Sequence, residues 1–600
     1  MKKFEDFRIQ SRILNLVLIL VLPVFTLMSL EYFTHVPWDL SVPIFLLNLA
    51  FYYLLFAIFT FLFGSTSLGY AIAPVIPMLF GLVNYFVVDF RSAPIVPWDI
   101  YSIGTAVSVA GNYEFKINGR LVAVVLSFML IAFLGSRTGL KVKRWRIRIL
   151  CLCFALAGMY GYVVGVGSDA VIDVVGLDTT LFTPNVLYRN NGLTAGFLGN
   201  LKFLMVEKPD GYSAQKAEDA AQEYRKHTAD SKEKLPNVIV IMNEAFSDMS
   251  VFGEFEIDYD YMPFIHALSD NTVKGDCYVS VLGGNTANSE YEFLTGDSMA
   301  FLPAGSVPYQ QYIKGEMPTL TTYLKKLGYQ TTAIHPYNAS GWARNKVYPW
   351  LGFEHTLFRN DFVNPLLIRN YVSDNSAFNK IIELYEEKDE GENFFAFEVT
   401  MQNHGGYSKD VEGFEESVHL SELSNKTAQV RAAEKYLTLM LESDRAFEML
   451  VNYFMEQEED TIILMFGDHQ PSDYITNIFL RLQGLNREDS DVFFDNYIVP
   501  FVMWANYDIE EEHVDAISVN YLSGLLFEKA GMPLNGYQTF LQDLRKDIPA
   551  FTANMVMTAD GKRYSYEEGK ALSEEQLHTY HMLMYNHLSD TDGRLEDFFD

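Results

Sequence analysis

In this 600-residue chain the stretch SVLGGNTANSEYEFLTG (Ser280–Gly296) holds Thr286, a candidate for chemistry. A Gly-rich turn ahead of a helix-like run can hold an anion on free backbone N–H groups. Gly283-Gly284 would let the backbone approach that anion closely. The stretch has no Lys to complete a P-loop. A threonine hydroxyl is a weak nucleophile at neutral pH, and metal coordination is one way to activate it. Glu244, after NVIVIM, and Asp468-His469, after TIILMF, supply a donor set for that metal. Two carboxylates and an imidazole suit a divalent ion of borderline hardness, such as Mn²⁺ or Zn²⁺. The same ion would polarise a phosphoryl oxygen.

A second group of residues could bind a substrate. In HPYNASGWARNKVYPWLGF (His335–Phe353), Arg344 could hold phosphate oxygens, Trp342 could stack on a small polyol, and His335 could hydrogen-bond it. His404, in TMQNHGGY, follows another apolar run. Each residue also has a plain reading as a helix cap, a turn or a packed surface group. As a set they do not, because no packing rule collects Glu, Thr, Asp and three His at successive strand ends.

These residues need a scaffold, and the pattern predicts one. β-like runs cover Asn237–Met242, Gly275–Val281, Tyr329–Ile334, Phe394–Val399, Thr461–Phe466 and Ile498–Trp504. Helical segments are expected at Met317–Leu327, Ser376–Glu387, Lys426–Met455 and Val514–Ala530. Such alternation predicts an α/β domain, a mostly parallel sheet with helices on both faces. Ligands of such sheets bind beyond the carboxyl ends of the strands, where Glu244, Thr286, His335, His404, Asp468 and His469 fall.

The first third of the chain is of another kind. Five apolar runs, Ile13–Leu30, Val42–Phe63, Ala71–Val88, Leu121–Leu134 and Ile147–Val166, read as membrane spans. Buried core helices are the alternative. The first run lacks a small-x-small cleavage pattern and is followed at once by more spans, unlike a signal peptide. Lys2, Lys3, Arg8 and Arg12 precede span one, and Arg137, Lys141, Lys143, Arg144, Arg146 and Arg148, with no acid among them, run from the end of span four into the first turn of span five. The positive-inside rule then places the N-terminus and that basic loop in the cytoplasm. The linker between spans three and four (residues 91–120) and everything after Val166 would face outward. Residues 176–204 read as an amphipathic stretch on the outer membrane surface or a plain connector, and Ser213–His227 as a polar helical linker. The expected domains are a transmembrane part at 1–170, interfacial and linker helices at 171–235, and a catalytic domain at 236–600.

Charge follows this division. Up to Leu204 there are 15 Lys+Arg against 10 Asp+Glu, and afterwards 30 against 66, for a net −31. So acidic a domain argues against nucleic-acid binding. Of the three cysteines only Cys277 lies in the acidic part, so no disulfide framework can form there. An exported domain without disulfides fits a bacterium that does not rely on them.

NEAFSD, GGNTANSEYEFLTG, HPYNASGWARNKVYPWLGF, MQNHGGY and GDHQ, in this order after five spans, resemble the lipoteichoic acid synthase-like phosphoglycerol transferases. These are membrane members of the alkaline phosphatase/sulfatase superfamily. The resemblance implies that Glu244, Thr286, Asp468 and His469 bind one divalent metal, Mn²⁺ in the best-known branch, with Mg²⁺ or Zn²⁺ as alternatives. It implies Thr286 as nucleophile, and His335, Trp342, Arg344 and His404 as contacts to the glycerol phosphate group. The implied donor is phosphatidylglycerol, cleaved to diacylglycerol, and the implied acceptor is a hydroxyl on an envelope polymer or glycolipid at the bacterial plasma membrane. The synthases proper more often carry Gly-Lys-Thr-Ser where this chain has Gly284-Asn285-Thr286-Ala287, which leaves acceptor and product open.

Three other readings compete. Lipid-dependent phosphoethanolamine transferases share the Thr and the metal ligands but usually staple the soluble domain with disulfides. A sulfatase proper would have Cys or Ser at the nucleophile. A non-catalytic envelope-polymer-binding protein would not need the metal and nucleophile positions filled.

Overall fold

The computed structural model describes residues 9–91, 94–97, 99, 117–178, 184–201, 206–226, 234–303, 305–409, 411–423, 425–487 and 489–600. It divides into two compact units, Met1–Met205 and Val206–Asp600. The linker between the third and fourth spans lies largely outside the described residues.

Among the described residues of the first unit, five helices are long and apolar enough to cross a membrane: Arg12–Glu31, Val42–Phe63, Thr66–Val88, Gly119–Ser136 and Trp145–Val166. The third starts earlier than its hydropathy suggests and breaks into Thr66–Ile72 and Val75–Arg91 at Pro74, which has no N–H to continue the helix. The fourth is completed by Asn118, whose side chain accepts from Leu121 N. Leu16, Leu20, Leu126 and Phe154 are exposed, as lipid-facing residues would be. The short helices Pro184–Asn191 and Leu193–Gly199 are tied to the spans: Asn48 Nδ2 donates to Asn191 O (2.7 Å), and Leu193 N donates to the Glu31 carboxylate (3.1 Å).

The second unit holds the α/β sheet. Its elements in chain order are β1 (Asn237–Asn243), β2 (Thr272–Tyr278), β3 (Tyr329–His335), β4 (His355–Phe358), the hairpin β5 (Leu367–Ile368) and β6 (Tyr371–Val372), β7 (Asn393–Val399), β8 (Thr461–Gly467), β9 (Ile498–Ala505) and β10 (Glu512–Ser518). The eight-stranded sheet runs β10-β2-β9-β8-β1-β7-β3-β4. Only β9 opposes its neighbours β2 and β8; the other pairs are parallel. β1 is buried along its whole length, as a strand covered on both faces must be. The β-like runs at Gly275–Val281 and Ile498–Trp504 belong to β2 and β9, with shifted ends. Two edge strands escape the sequence pattern. Residues 514–518 are strand, not helix: pairing with β2 slips between Val514 and Ile517, and that irregularity breaks the two-residue alternation. The helix begins at Val519.

The helix Thr286–Thr295 lies buried against this sheet. Phe293 anchors it, with ring centroids 5.9 Å from Phe397 on β7 and 5.1 Å from Phe466 on β8. The segment expected as a polar linker is docked on the same unit. Ala217 and Ala221 form a buried stripe on the helix Ala214–Ala221, and Tyr212 OH donates to Asp590 Oδ2 (2.6 Å). Truncating Phe293 to Ala should destabilise this unit by about 3–5 kcal/mol, from lost transfer and an unfilled cavity. A denaturant titration followed by near-UV dichroism checks this; a shift under about 1 kcal/mol would contradict the anchoring role.

Candidate functional site

Three strand or helix ends meet at the carboxyl edge of β1 and β8. Glu244 follows β1, and its N–H donates to Thr400 Oγ1 (3.0 Å). Ala245, with φ 48°, turns the chain so that its N–H donates to Asp468 Oδ1 (2.7 Å). Asp468 and His469 follow β8. A Cβ on Gly467 would lie 2.0 Å from Phe246 O, so only glycine lets these two chains approach. His469 N donates to Asp468 Oδ1 (2.8 Å).

Thr286 is the first residue of its helix and not its cap. Asn285, at φ 66°, takes the cap position, and Gly283 before it is also left-handed at φ 65°. The Thr286 hydroxyl is therefore free of capping and donates to Glu244 Oε2 (3.4 Å). Ser289 on the same helix donates to Asp468 O (2.6 Å), which holds the helix start over the end of β8. Non-glycine residues at positive φ are strained, and here the strain falls beside Glu244 and Thr286.

The donor set fits a cation. Ligand atoms of Glu244, Asp468 and His469 lie within 4.8 Å of one another, all buried. His469 Nδ1 lies 2.8 Å from Gln470 O, which can only accept, so Nδ1 carries a proton. The Nε2 atom turns inward, 3.2 Å from Asp468 Oδ2 and 3.8 Å from Glu244 Oε1. Asp468 Oδ2 and His469 Nε2 have no hydrogen-bond partner. Buried acceptors converging without donors are costly unless a cation sits among them. Burial, with Asp468 beside it, pushes the Glu244 carboxyl well up, and burial also raises Asp468.

Of the substrate-binding expectations, Arg344, His335 and His404 fall around this centre: Arg344 acts on Glu244 and bonds His335, and His469 acts on His404. His335 ends β3 and Arg344 begins a helix, both buried. Arg344 Nη1 lies 3.1 Å from His335 Nε2. Guanidinium only donates, so that nitrogen accepts, and Nδ1 donates to Val399 O (2.9 Å). Burial and Arg344 hold His335 well below the usual imidazole range. The other edge of the Arg344 fork is taken by Glu290: Nε lies 3.1 and 3.2 Å from its two oxygens, and Nη2 makes a closer contact. Trp342 and Ala343 stand at φ 53° and 59°, a strained turn that leaves the indole part-exposed. His404 has Nδ1 3.3 Å from Tyr371 OH; burial, His469 and Arg369 lower it to about 4.

Sequence reasoning missed the supports. Glu290, fully buried four residues after Thr286, also accepts from Tyr348 OH (2.8 Å). Its signal was the i,i+4 spacing on one helix. Behind Glu244, Asn243 Nδ2 donates to Asp374 Oδ2 (2.9 Å), Ser443 donates to the same oxygen (2.6 Å), and Asn403 donates to Asn243 Oδ1 (2.9 Å). Burial raises Asp374 to about 6.

The sulfatase family matches residues 236–526, which span β1 to β10 and every residue of this site. The chain carries a sulfatase domain. Beyond that domain, a Rhizobium meliloti protein named for cyclic beta-1,2-glucan modification is 29% identical over 457 residues, 74% of this chain and 69% of its own. The capsular polysaccharide biosynthesis protein RkpI of Rhizobium meliloti is 27% identical over 257 residues, 41% of this chain and 43% of its own. In fold, the chain is similar to the Streptococcus pyogenes phosphoglycerol transferase GacH in complex with sn-glycerol-1-phosphate (22% identity, TM-score 0.53, 66% of this chain and 99% of that one). It is also similar to the lipooligosaccharide phosphoethanolamine transferase EptA of Neisseria meningitidis (13% identity, TM-score 0.52, 89% of this chain and 97% of that one).

Metal loading of the sulfatase domain should depend on pH. A cation needs both carboxylates ionised, and burial raises both, so protons compete as pH falls. Mn²⁺ affinity, read by electron paramagnetic resonance, should weaken by about tenfold or more from pH 7.5 to 5.5, and Asp468→Asn should abolish it at both. For the metal-free fold the sign reverses. Folded-state values above the unfolded ones favour the fold while protonated, and that contribution is lost as pH rises through the raised values.

Proposed function

We propose that this protein transfers glycerol phosphate from phosphatidylglycerol to a hydroxyl on an envelope glycan or glycolipid, through an ester on Thr286, with release of diacylglycerol. The observation that carries this reading is the Thr286 hydroxyl, uncapped at a helix start and hydrogen-bonded to Glu244, beside the converging Asp468 and His469. Glu244, Asp468, His469 and Thr286 would hold a divalent ion, Mn²⁺ first, then Mg²⁺ or Zn²⁺. When bound, such an ion lowers the pKa of a hydroxyl and neutralises charge on phosphoryl oxygens.

The chain's own residues supply the rest. Thr286 Oγ bonds to phosphorus, the bond to the diacylglycerol oxygen breaks, and that oxygen leaves with the electron pair and takes a proton. Glu244 Oε2 is the nearest acceptor for the Thr286 proton. Helix N–H groups beyond Gly283-Gly284 face the phosphate. Arg344, His335, Trp342 and His404 contact the glycerol phosphate. His335 is a neutral hydrogen-bonding group and not a proton carrier, given the arginine at its Nε2. An acceptor hydroxyl then attacks phosphorus and frees Thr286. The relatives named for glucan modification and capsular polysaccharide support a glycan as acceptor. The basic N-terminus and basic fourth loop support a cytoplasmic N-terminus and an outer sulfatase domain.

Phosphoethanolamine transfer is the second reading, favoured by the EptA-like fold over 89% of the chain. Against it stands Cys277, the single cysteine of the acidic part, buried and free. Purified protein with Mn²⁺ should release diacylglycerol from fluorescent phosphatidylglycerol but not from phosphatidylethanolamine. Thr286→Ala should lower the rate by 10³-fold or more, on the order of loss of a nucleophile. Equal rates in the Ala variant would refute Thr286 as nucleophile, and a preference for phosphatidylethanolamine would favour the second reading.

A further inference from the structure

Glu290 has no part in the reaction just described, yet it lies at the centre of the site. It is fully buried, four residues after Thr286, and its carboxylate takes the Nε and Nη2 edge of Arg344. Tyr348 OH donates to the same carboxylate. We propose that Glu290 is the fixed counter-ion of Arg344 and sets the charge of the phosphoryl group the site accepts, favouring a monoanionic phosphodiester over a dianionic phosphomonoester. The proposal rests on the reading of the site as a phosphoryl pocket.

The argument is one of edges and charges. An arginine binds phosphate best by offering two parallel N–H groups along one edge. Here Nε and Nη2 face Glu290, and Nη1 points to His335 Nε2. Arg344 can therefore offer a ligand only what remains at its Nη tips. The charge count agrees. Glu244 and Asp468 offset a divalent ion, His335 is neutral through its bond from Arg344, and Glu290 cancels Arg344. The next cation, Arg369, turns Nη1 and Nη2 to the carbonyls of His404 and Gly405 (3.2 and 3.1 Å), which accept its hydrogen bonds without cancelling its charge. A phosphodiester meets that one surplus positive charge, and a monoester exceeds it by one. A unit charge several ångströms away, at an effective dielectric near 20, shifts affinity on the order of tenfold or more.

Methyl phosphate and dimethyl phosphate carry these two charges on nearly one shape. Their binding to Mn²⁺-loaded full-length protein at pH 7.5 can be read by phosphorus-31 relaxation, which needs no turnover. Wild type should bind methyl phosphate no tighter than dimethyl phosphate. Glu290→Gln should move that ratio about tenfold toward methyl phosphate. Glu290→Asp, which keeps the charge, should leave the ratio unchanged even where overall affinity drops. An equal ratio in wild type and Glu290→Gln, or an equal shift in the Gln and Asp variants, would overturn the proposal while leaving the phosphoryl pocket intact. Absence of binding by either phosphate to wild type would overturn the pocket reading as well. Should Glu290→Gln fail to fold, Arg344→Gln and the pair Glu290→Gln/Arg344→Gln carry the test. Arg344→Gln, which leaves Glu290 uncompensated, should lower methyl phosphate preference about tenfold, and the pair should recover it; an equal fall in both would refute the counter-ion role.

Discussion

Much of the second unit answers to one electrostatic demand: two carboxylates and an imidazole lone pair are buried face to face. Glu244, Asp468 and His469 converge with acceptors left unpartnered, an arrangement that low-dielectric surroundings make costly. The structure tolerates it because each backbone that delivers an acceptor is itself pinned. Ala245 N and His469 N both bind Asp468 Oδ1, and Ser289 binds Asp468 O. The convergence is fixed before any ligand arrives, and a preorganised electrostatic site pays no reorganisation when charge develops.

The parallel sheet makes that convergence possible. β1 and β8 are neighbours in register, Asn243 opposite Gly467, so the residues that follow them leave the sheet side by side. The helix bearing Thr286 arrives after β2, which is separated from β8 by the one reversed strand, β9. Phe293 packs it across β7 and β8, so the hydroxyl sits above the strand ends and not at the sheet's margin. Left-handed backbone at Ala245, Gly283 and Asn285 makes the sharp exits.

Around this centre the polar groups are arranged to keep their own charges quiet. Glu290 closes Arg344, Arg344 fixes the tautomer of His335, and burial lowers His404. Asp374, Ser443, Asn403 and Asn243 form a hydrogen-bonded network beneath Glu244, in which Asp374 Oδ2 takes two donors and Oδ1 none. Buried polar networks of this kind hold the groups above them in place. The apolar unit of five long helices has a separate logic. Its buried polar groups, such as Asn48 and Glu31, are spent on short helices of the same unit.

Local patterning alone determined a good deal. Hydropathy runs marked the five long helices, because a bilayer-crossing helix needs an unbroken apolar stretch. The apolar strands β1, β7 and β8 were legible because strands covered on both faces need no alternation. The residues after them were legible as candidates because the fold class says where such strands present ligands. Edge strands β4 and β10 were not, since half-exposed strands with a register slip carry no clean period. Only the tertiary structure decided that Glu290 occupies Arg344, that Asn285 frees Thr286 from capping, and that Asp374 supports Glu244. Those pairings join residues far apart in the chain, or turn on a single backbone dihedral. No local period encodes either; they follow from which strand ends the sheet sets next to one another.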